Sequence, residues 1–497
     1  MEMQFNSMPW QYLKSNVRQV LNQEQTLEVR LTDGMPDIGR VLCAWGQPML
    51  RSKEWRTDGM TVTGGVCVWV LYAPEDGGCP QSVQAWLPFQ GKWSFPDSHR
   101  EGVIWAQCLL RGVDARTLSA RKIMVRANVG ILAEALEQTQ MEISQCPELP
   151  EQVYVLSKTY PLCLPVEAGE RLLNLEESFS LTAKPQYIAA CQIRPLVTEE
   201  NVVGGKIVFR GTAYVDLLFI GQDSQPYSQV LEMPFAQYGE LDRDYDKEAS
   251  GSVTMAISNL ETEFSDDGIR IKCGLIAQYI VRENRLLQIA EDAYSPLRQV
   301  TPDIQMLQLP AILDRKQQWI EATQECNENV SQVVHTVFMP DHPTCYRDAE
   351  QLWLEFPGAF QMLYYDTDGV LQARTEPWSH TMTLPAADQS ILQMSVGSGQ
   401  QPNAVRQGEA MQLWGQMQMD MTTVANQQMP MVTALNIGPQ KAMEENRPSL
   451  LLQRMGEEGL WNLAKASGST VDAIRQANGL QDEPVPGQML LIPVICS

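Results

Sequence analysis

Apolar and polar residues alternate with a period of two in three well-separated stretches of the chain. The stretches are RKIMVRANVGI (Arg121 to Ile131), GIRIKCGLIAQ (Gly268 to Gln278) and EAMQLWGQMQMDM (Glu409 to Met421). Successive side chains of a β-strand point to opposite faces of the sheet, so this alternation predicts half-buried strands with one face on a core. The longest apolar runs, such as VCVWVLY (Val66 to Tyr72), also have the length of a strand.

These patterns recur at a fixed interval along the chain. Gly64 aligns with Gly211, 147 positions later, and Gly211 aligns with Pro357 after a further 146. Each of these residues begins an apolar run that ends in an Asp-containing turn, and matching LPF and MPF steps end at Phe89 and Phe235. A fixed period with matching turn residues indicates duplicated domains, and strands separated by such turns indicate an antiparallel β-sandwich or barrel.

We therefore predict a mainly β chain of three tandem antiparallel β-sandwich or barrel-like domains, followed by a small βααβ domain. Two proline-rich stretches, 146–170 and 291–314, are predicted to be extended connectors that belong to the repeat. The predicted segments are an N-terminal helical segment at 1–25, repeats at 26–145, 146–290 and 291–435, a linker at 436–448 and the small domain at 449–497.

The small C-terminal domain is predicted from the segment 459–480, which has the periodicity of two short helices. Ser469-Thr470 begins the second helix, with Asp472 three residues after Ser469 in the manner of a capping box. The apolar segments 449–454 and 489–494 are predicted as the flanking strands.

Charge and composition narrow the classes of partner. The chain has 37 Lys and Arg against 60 Asp and Glu, a net charge of −23, so it should repel nucleic acid and anionic lipid heads. No run approaches the ~18 apolar residues that a membrane span needs, so no membrane insertion is expected. The N-terminus lacks a signal-peptide pattern, and the eleven cysteines include no C-x-x-C pair, so we expect a cytosolic protein with reduced cysteines.

No catalytic, metal or cofactor site emerges from the residue patterns. The one cluster is DHPTC (Asp341 to Cys345), and we favour a turn between strands over a metal or nucleophile site because the further ligands or base are not apparent. Met417, Met419 and Met421 alternate on one strand, where a core filling is favoured over a docking surface. Six tryptophans in the first repeat predict that one is exposed.

The C-terminal segment resembles a LysM domain. The matching residues are Leu460-Trp461, Ala464, Asn478-Gly479-Leu480, Pro486-Gly487-Gln488, Leu490 and Ile492-Pro493. The resemblance implies binding of N-acetylglucosamine-containing glycans in a shallow groove between two loops. Where the family has Gly-Asp-Thr before Leu-Trp, this chain has GEEGLW from Gly456 to Trp461, so protein binding by the same surface is the alternative.

We predict that these two loops recognise the partner. Four of their residues are carboxylates, which favour a basic partner and salt-sensitive association. The predicted site residues are Gly456, Glu457, Glu458, Gly459 and Leu460 on one side, and Asn478, Gly479, Leu480, Gln481, Asp482, Glu483, Pro484 and Gly487 on the other.

The body resembles SPOCS domains, the spore coat-assembly repeats. The similarity is carried by PDIGRVL (Pro36 to Leu42), the LPF and MPF steps and DAYSPL (Asp292 to Leu297). SPOCS repeats followed by one LysM domain are similar to spore coat morphogenetic proteins of the SipL type. That resemblance implies a non-enzymatic scaffold in the mother-cell cytosol, at the outer forespore surface, that binds a SpoIVA-like morphogenetic ATPase and other coat proteins. The alternatives are a peptidoglycan-binding protein of the spore cortex or cell wall, and an unrecognised hydrolase.

Overall fold

The chain is mainly β, as the alternation predicts. The computed structural model describes residues 2–96, 101–265, 268–348, 351–385, 390–407, 410–442 and 448–495. No helix in these ranges has the length and hydropathy that crossing a membrane would require.

The strands fall into three successive groups. The first group is β1 (Glu2–Gln4), β2 (Asn6–Arg30), β3 (Ile38–Arg56), β4 (Gly59–Pro74), β5 (Gln81–Ser94), β6 (Gly102–Ser119) and β7 (Lys122–Gln145). The second is β8 (Tyr154–Ser180), β9 (Pro185–Gly221), β10 (Pro226–Tyr245), β11 (Ser250–Ser265) and β12 (Gly268–Tyr294). The third is β13 (Arg298–Cys326), β14 (Val330–Pro340), β15 (Thr344–Asp348), β16 (Gln351–Asp366), β17 (Leu371–Pro385), β18 (Ser390–Ser398), β19 (Asn403–Gln407) and β20 (Ala410–Gln440).

Each group forms the same two antiparallel sheets. In the first repeat, β3, β4 and β5 make one sheet, and β2, β7 and β6 make the other. The corresponding sheets are β9 with β10 and β8-β12-β11 in the second repeat. In the third repeat, β14 and β15 pair with β16, which pairs with β17, and β13-β20 is extended by β18, β19 and the N-terminal β1. The second repeat has the same order because β9 corresponds to two strands of the other repeats. Gly204, at φ 58°, lies at the bend between its two halves, and Thr198 Oγ1 of one half donates to Arg210 O of the other over 3.2 Å.

The glycines aligned in the sequence occupy the same structural position. Gly64 pairs with Phe89 across β4 and β5, and Gly211 pairs with Phe235 across β9 and β10. A Cβ atom would lie 2.6 Å from the Phe89 ring at the first glycine and 2.8 Å from the Phe235 ring at the second. The ring of each phenylalanine therefore covers the backbone of its glycine, which explains why the two residue types recur together.

The repeats pack against one another. One apolar core includes Trp45 of the first repeat, Phe219 of the second and Leu363 of the third, all nearly inaccessible to solvent. Glutamine side chains join the repeats as well: Gln192 Nε2 donates to Gly46 O over 2.9 Å. The three domains are tandem in sequence, but they share a core in space.

The two proline-rich connectors are strands of the sheets. They lie largely in β8 and β13, each at the edge of its sheet, where a strand tolerates proline because one row of amides needs no partner. Leu162, Leu164 and Leu309 on these strands are buried. These stretches are therefore extended and belong to the repeat, as predicted, but they are paired edge strands and not linkers.

The prediction of an N-terminal helix is wrong. Within this segment, residues 2–25 lie mostly in β1 and β2, and β2 pairs with β7 along its whole length, from Asn6 opposite Gln145 to Arg30 opposite Lys122. This pairing joins distant parts of the chain and overrides local helical propensity. In the predicted linker 436–448, β20 continues to Gln440, and residues 443–447 lie outside the described ranges.

The C-terminal domain has the predicted βααβ order. Its elements are β21 (Leu450–Arg454), α1 (Gly459–Ser467), α2 (Val471–Asn478) and β22 (Met489–Pro493), with β21 antiparallel to β22. The capping box is wrong in detail, because Thr470 is the N-cap and its Oγ1 accepts from Ala473 N over 3.1 Å. Ser469 is buried and donates to Pro493 O, which ties the start of α2 to the end of β22.

Candidate functional site

The two predicted recognition loops lie side by side in the C-terminal domain. Met455 N donates to Gln488 O over 2.8 Å, and Gly487 N donates to Met455 O over 2.8 Å. These backbone bonds join the loop between β21 and α1 to the loop between α2 and β22. The structure therefore brings together the two segments that the sequence predicts as one surface.

The exposed part of this surface is acidic. Glu457, Glu458, Asp482 and Glu483 are exposed, as is Gln481. Glu483 accepts a hydrogen bond from Arg475 over 2.9 Å, but both side chains are largely in water, so the pair is weak. Carboxylates from both loops are thus available on one face of the domain.

The other predicted site residues hold the domain together. Leu460 and Pro484 are buried, and Leu480 packs against the core. The Asn478 side chain donates to Ile474 O and Leu491 O and accepts from Leu491 N, which fixes the end of α2 to β22. Among the glycines, Gly456 is half-buried, and Gly459, Gly479 and Gly487 have φ values of 82°, 63° and 90°, so the last three set the backbone of the loops.

The outer face of α1 contacts the β body, a contact that the sequence did not reveal. Asp292, near the end of β12, accepts from Trp461 Nε1 over 2.8 Å and from Lys465 Nζ over 2.7 Å. Tyr294 packs edge-on against the Trp461 ring at 4.7 Å between ring centroids, and its hydroxyl donates to Ser469 O over 3.0 Å. Both body residues belong to the DAYSPL motif, which the sequence marks only as part of a repeat.

The DHPTC cluster has a structural role. Asp341 pairs with Arg111 over 2.6 Å, and His342 Nε2 lies 3.1 Å from Gly130 O, so both join the third repeat to the first. Burial lowers the pKa of His342 to about 4, which keeps the ring neutral. Within the described ranges, no three His, Cys, Asp or Glu residues are grouped as metal ligands would be.

The remaining candidates divide between core and surface. The predicted methionine core is confirmed, since the side chains of Met417, Met419 and Met421 are buried. Of the six tryptophans in the first repeat, Trp86 is the exposed one, with 37% of its surface accessible. Five of the ten described cysteines are buried as small apolar side chains.

Fold and site together define a mainly β protein that carries a small βααβ domain at its C-terminal end. Residues 457–493 match the family model of the LysM domain, and they form such a domain. The match covers the segment from the first acidic loop to the end of β22. Comparisons of the chain with curated proteins and with solved structures find no significant match.

Proposed function

We propose that this protein is a non-catalytic scaffold whose LysM domain attaches it to a basic surface of another protein. The observation that carries the proposal is the acidic face formed by the two LysM loops. Its four carboxylates, at Glu457, Glu458, Asp482 and Glu483, are exposed. Complementary charge across an interface accelerates association and fixes the orientation of the partners.

The body supports a scaffold rather than an enzyme. Asp341 and His342, the chemical cluster that the sequence singles out, are engaged in contacts between repeats. The resemblance to SPOCS repeats makes a SpoIVA-like morphogenetic ATPase the specific partner we propose, with other coat proteins on the body. The corresponding location is the mother-cell cytosol at the outer forespore surface.

A glycan ligand is the second candidate, and the LysM match itself favours it. LysM domains suggest binding of peptidoglycan or other N-acetylglucosamine-containing chains. Such a ligand is largely uncharged in its sugar rings, so it would depend on backbone and hydroxyl contacts in the groove and only weakly on the carboxylates. The two candidates therefore differ in their response to salt and to charge reversal.

The full chain can be tested against both ligands in one series. A variant with Lys at positions 457, 458, 482 and 483 is compared with wild type in pull-down with a purified SpoIVA-like ATPase and in sedimentation with insoluble peptidoglycan. A matched variant reverses four exposed carboxylates elsewhere, at Glu232, Glu263, Glu321 and Glu355.

We expect ATPase capture by wild type and by the matched variant, and its loss in the loop variant. Capture that survives reversal of the loop charges would contradict the acidic-surface proposal. Retention on peptidoglycan without capture of the ATPase would favour the glycan-binding function instead.

A further inference from the structure

Two adjoining cavities lie where the three repeats meet. Their volumes are about 450 and about 100 Å³. Ser252 and Thr254 of β11, Ser395 of β18, Arg315 of β13 and Asp420 of β20 line both of them. β6, β11 and β18 occupy corresponding positions in the three repeats, and all three contribute to both walls.

The smaller cavity is rich in hydrogen-bond donors. Its walls include three guanidinium groups, from Arg18, Arg282 and Arg315, beside the hydroxyls of Ser252 and Thr254. Every residue that lines it is buried or half-buried. Arginine forks and hydroxyls in a partly desolvated recess are the donors that carboxylate and phosphate groups require.

The nearby carboxylates are already engaged with two of the arginines. Glu134 pairs with Arg18. Asp420 lies 3.3 Å and Glu200 3.8 Å from Arg315 Nη2, and burial raises the pKa of Glu200. Arg18 and Arg315 therefore each have a carboxylate partner.

Arg282 has no direct carboxylate partner in the described ranges, although Glu134 and Asp420 favour its charged form from a greater distance. Within the described part of the chain it forms no ion pair; its Nη1 donates to Ser252 Oγ over 2.8 Å, and its Nε is buried without a hydrogen-bond partner. Burial and the nearby Arg315 lower the pKa of this guanidinium to about 10. A buried charge is unfavourable unless it is paired, so an anion bound here would compensate it.

We propose that this recess binds the carboxylate or phosphate group of a small organic molecule, held by Arg282 and Arg315. The rest of the molecule extends into the larger cavity, whose walls include Met255 and Phe338. Trp319 also lines the larger cavity and has 46% of its surface exposed. The repeats thus carry a small-molecule site that is separate from the LysM loops.

Calorimetric titration of the full chain tests this site, with inorganic phosphate, phenyl phosphate, acetate and phenylacetate as probes at matched ionic strength. We expect binding of at least one phosphate or carboxylate probe, tighter for its phenyl form, and about tenfold weaker binding in Arg282→Met. The matched control is Arg171→Met, which removes an exposed arginine on β8. This variant should bind the probes as wild type does. The four probes also distinguish a phosphate from a carboxylate ligand.

Tryptophan fluorescence is a second readout that locates the ligand, and a conservative variant keeps the test decisive if Arg282→Met fails to fold. Trp105 lines the smaller cavity with the Arg18 guanidinium 5.2 Å from its ring, so binding should change its fluorescence. Trp105→Phe should lose that signal, and Arg282→Lys, which keeps the charge but not the fork, should still bind more weakly. Failure of all four probes to bind wild type, or equal binding by both Arg282 variants and wild type, would overturn the proposal.

Discussion

The contact between the LysM domain and the β body includes one carboxylate that accepts two hydrogen bonds, so Asp292→Ala is an informative perturbation. The Asp292 side chain, 17% exposed, accepts from both Trp461 Nε1 and Lys465 Nζ. The substitution removes both bonds and leaves the fold of either partner intact, because the aspartate lies near the end of β12. We expect the LysM domain to separate from the body more often.

The magnitude follows from the exposure of each partner. A hydrogen bond from the indole of Trp461 to a charged acceptor contributes about 1.5–3 kcal/mol. Lys465 is 40% exposed, so solvent screening limits its ion pair with Asp292 to about 0.2–1 kcal/mol. Loss of both contacts should weaken docking by about 2–4 kcal/mol, which corresponds to an increase of about 30- to 700-fold in the separated fraction. Asp292→Asn keeps an acceptor for the indole and should show a smaller increase.

Hydroxyl-radical footprinting measures this separation. Tyr294, 3% exposed when the domain is docked, should be oxidised faster in Asp292→Ala by the same factor, while the core residue Tyr72 should be unaffected. Adding Lys465→Met to the Asp292 variant should have little further effect, because the two residues share one contact. An unchanged oxidation rate of Tyr294 would refute the view that this carboxylate holds the domain in place.

Two further predictions concern the body. Burial lowers the pKa of His342 from 6.5 to about 4, so the stabilising contribution of the neutral ring is complete above pH 6.5 and is lost, by about 3 kcal/mol, as the pH falls toward 4. The free energy of unfolding in urea should therefore differ less between pH 7 and pH 4.5 in His342→Gln than in wild type. Gly64→Ala should destabilise the fold by about 1–3 kcal/mol in thermal unfolding, because the new Cβ would lie 2.2 Å from Met49 O. The control Gly112→Ala, whose Cβ would have nothing within 4 Å, should leave the stability unchanged.

The repeat was accessible to sequence analysis because it depends on local contacts within one hairpin. A glycine under an aromatic ring, as at Gly64 and Phe89, leaves a pair of residue types at a fixed spacing in every copy that retains it. The role of the proline-rich stretches was not accessible in this way. Proline disfavours a central strand but is compatible with both a linker and an edge strand. The choice depends on the pairing of β8 with β12, which no local pattern records.

The LysM domain could be predicted because its elements follow from local patterns. Its docking onto the body was missed because that contact joins distant parts of the chain. Its helices and strands follow from local periodicity, and the acidic loops follow from their position between them. The contact of Asp292 with Trp461 joins residues far apart in sequence, and neither has an unusual neighbour that would indicate a partner. The second-repeat motif containing Asp292 had a visible pattern, but only the folded chain shows what that pattern contacts.

Docking through α1 has a consequence for the proposed scaffold. Trp461 and Lys465 are held by the body, whereas the carboxylates of the two loops remain exposed. A LysM domain on a free tether would capture its partner but leave the repeats in any orientation, since the tether sets only a range of distances. A domain fixed by Asp292 and Tyr294 gives the repeats one orientation relative to whatever the loops bind. Binding at the loops should therefore position the β body as well as retain it, which is the property that distinguishes an assembly scaffold from a simple anchor.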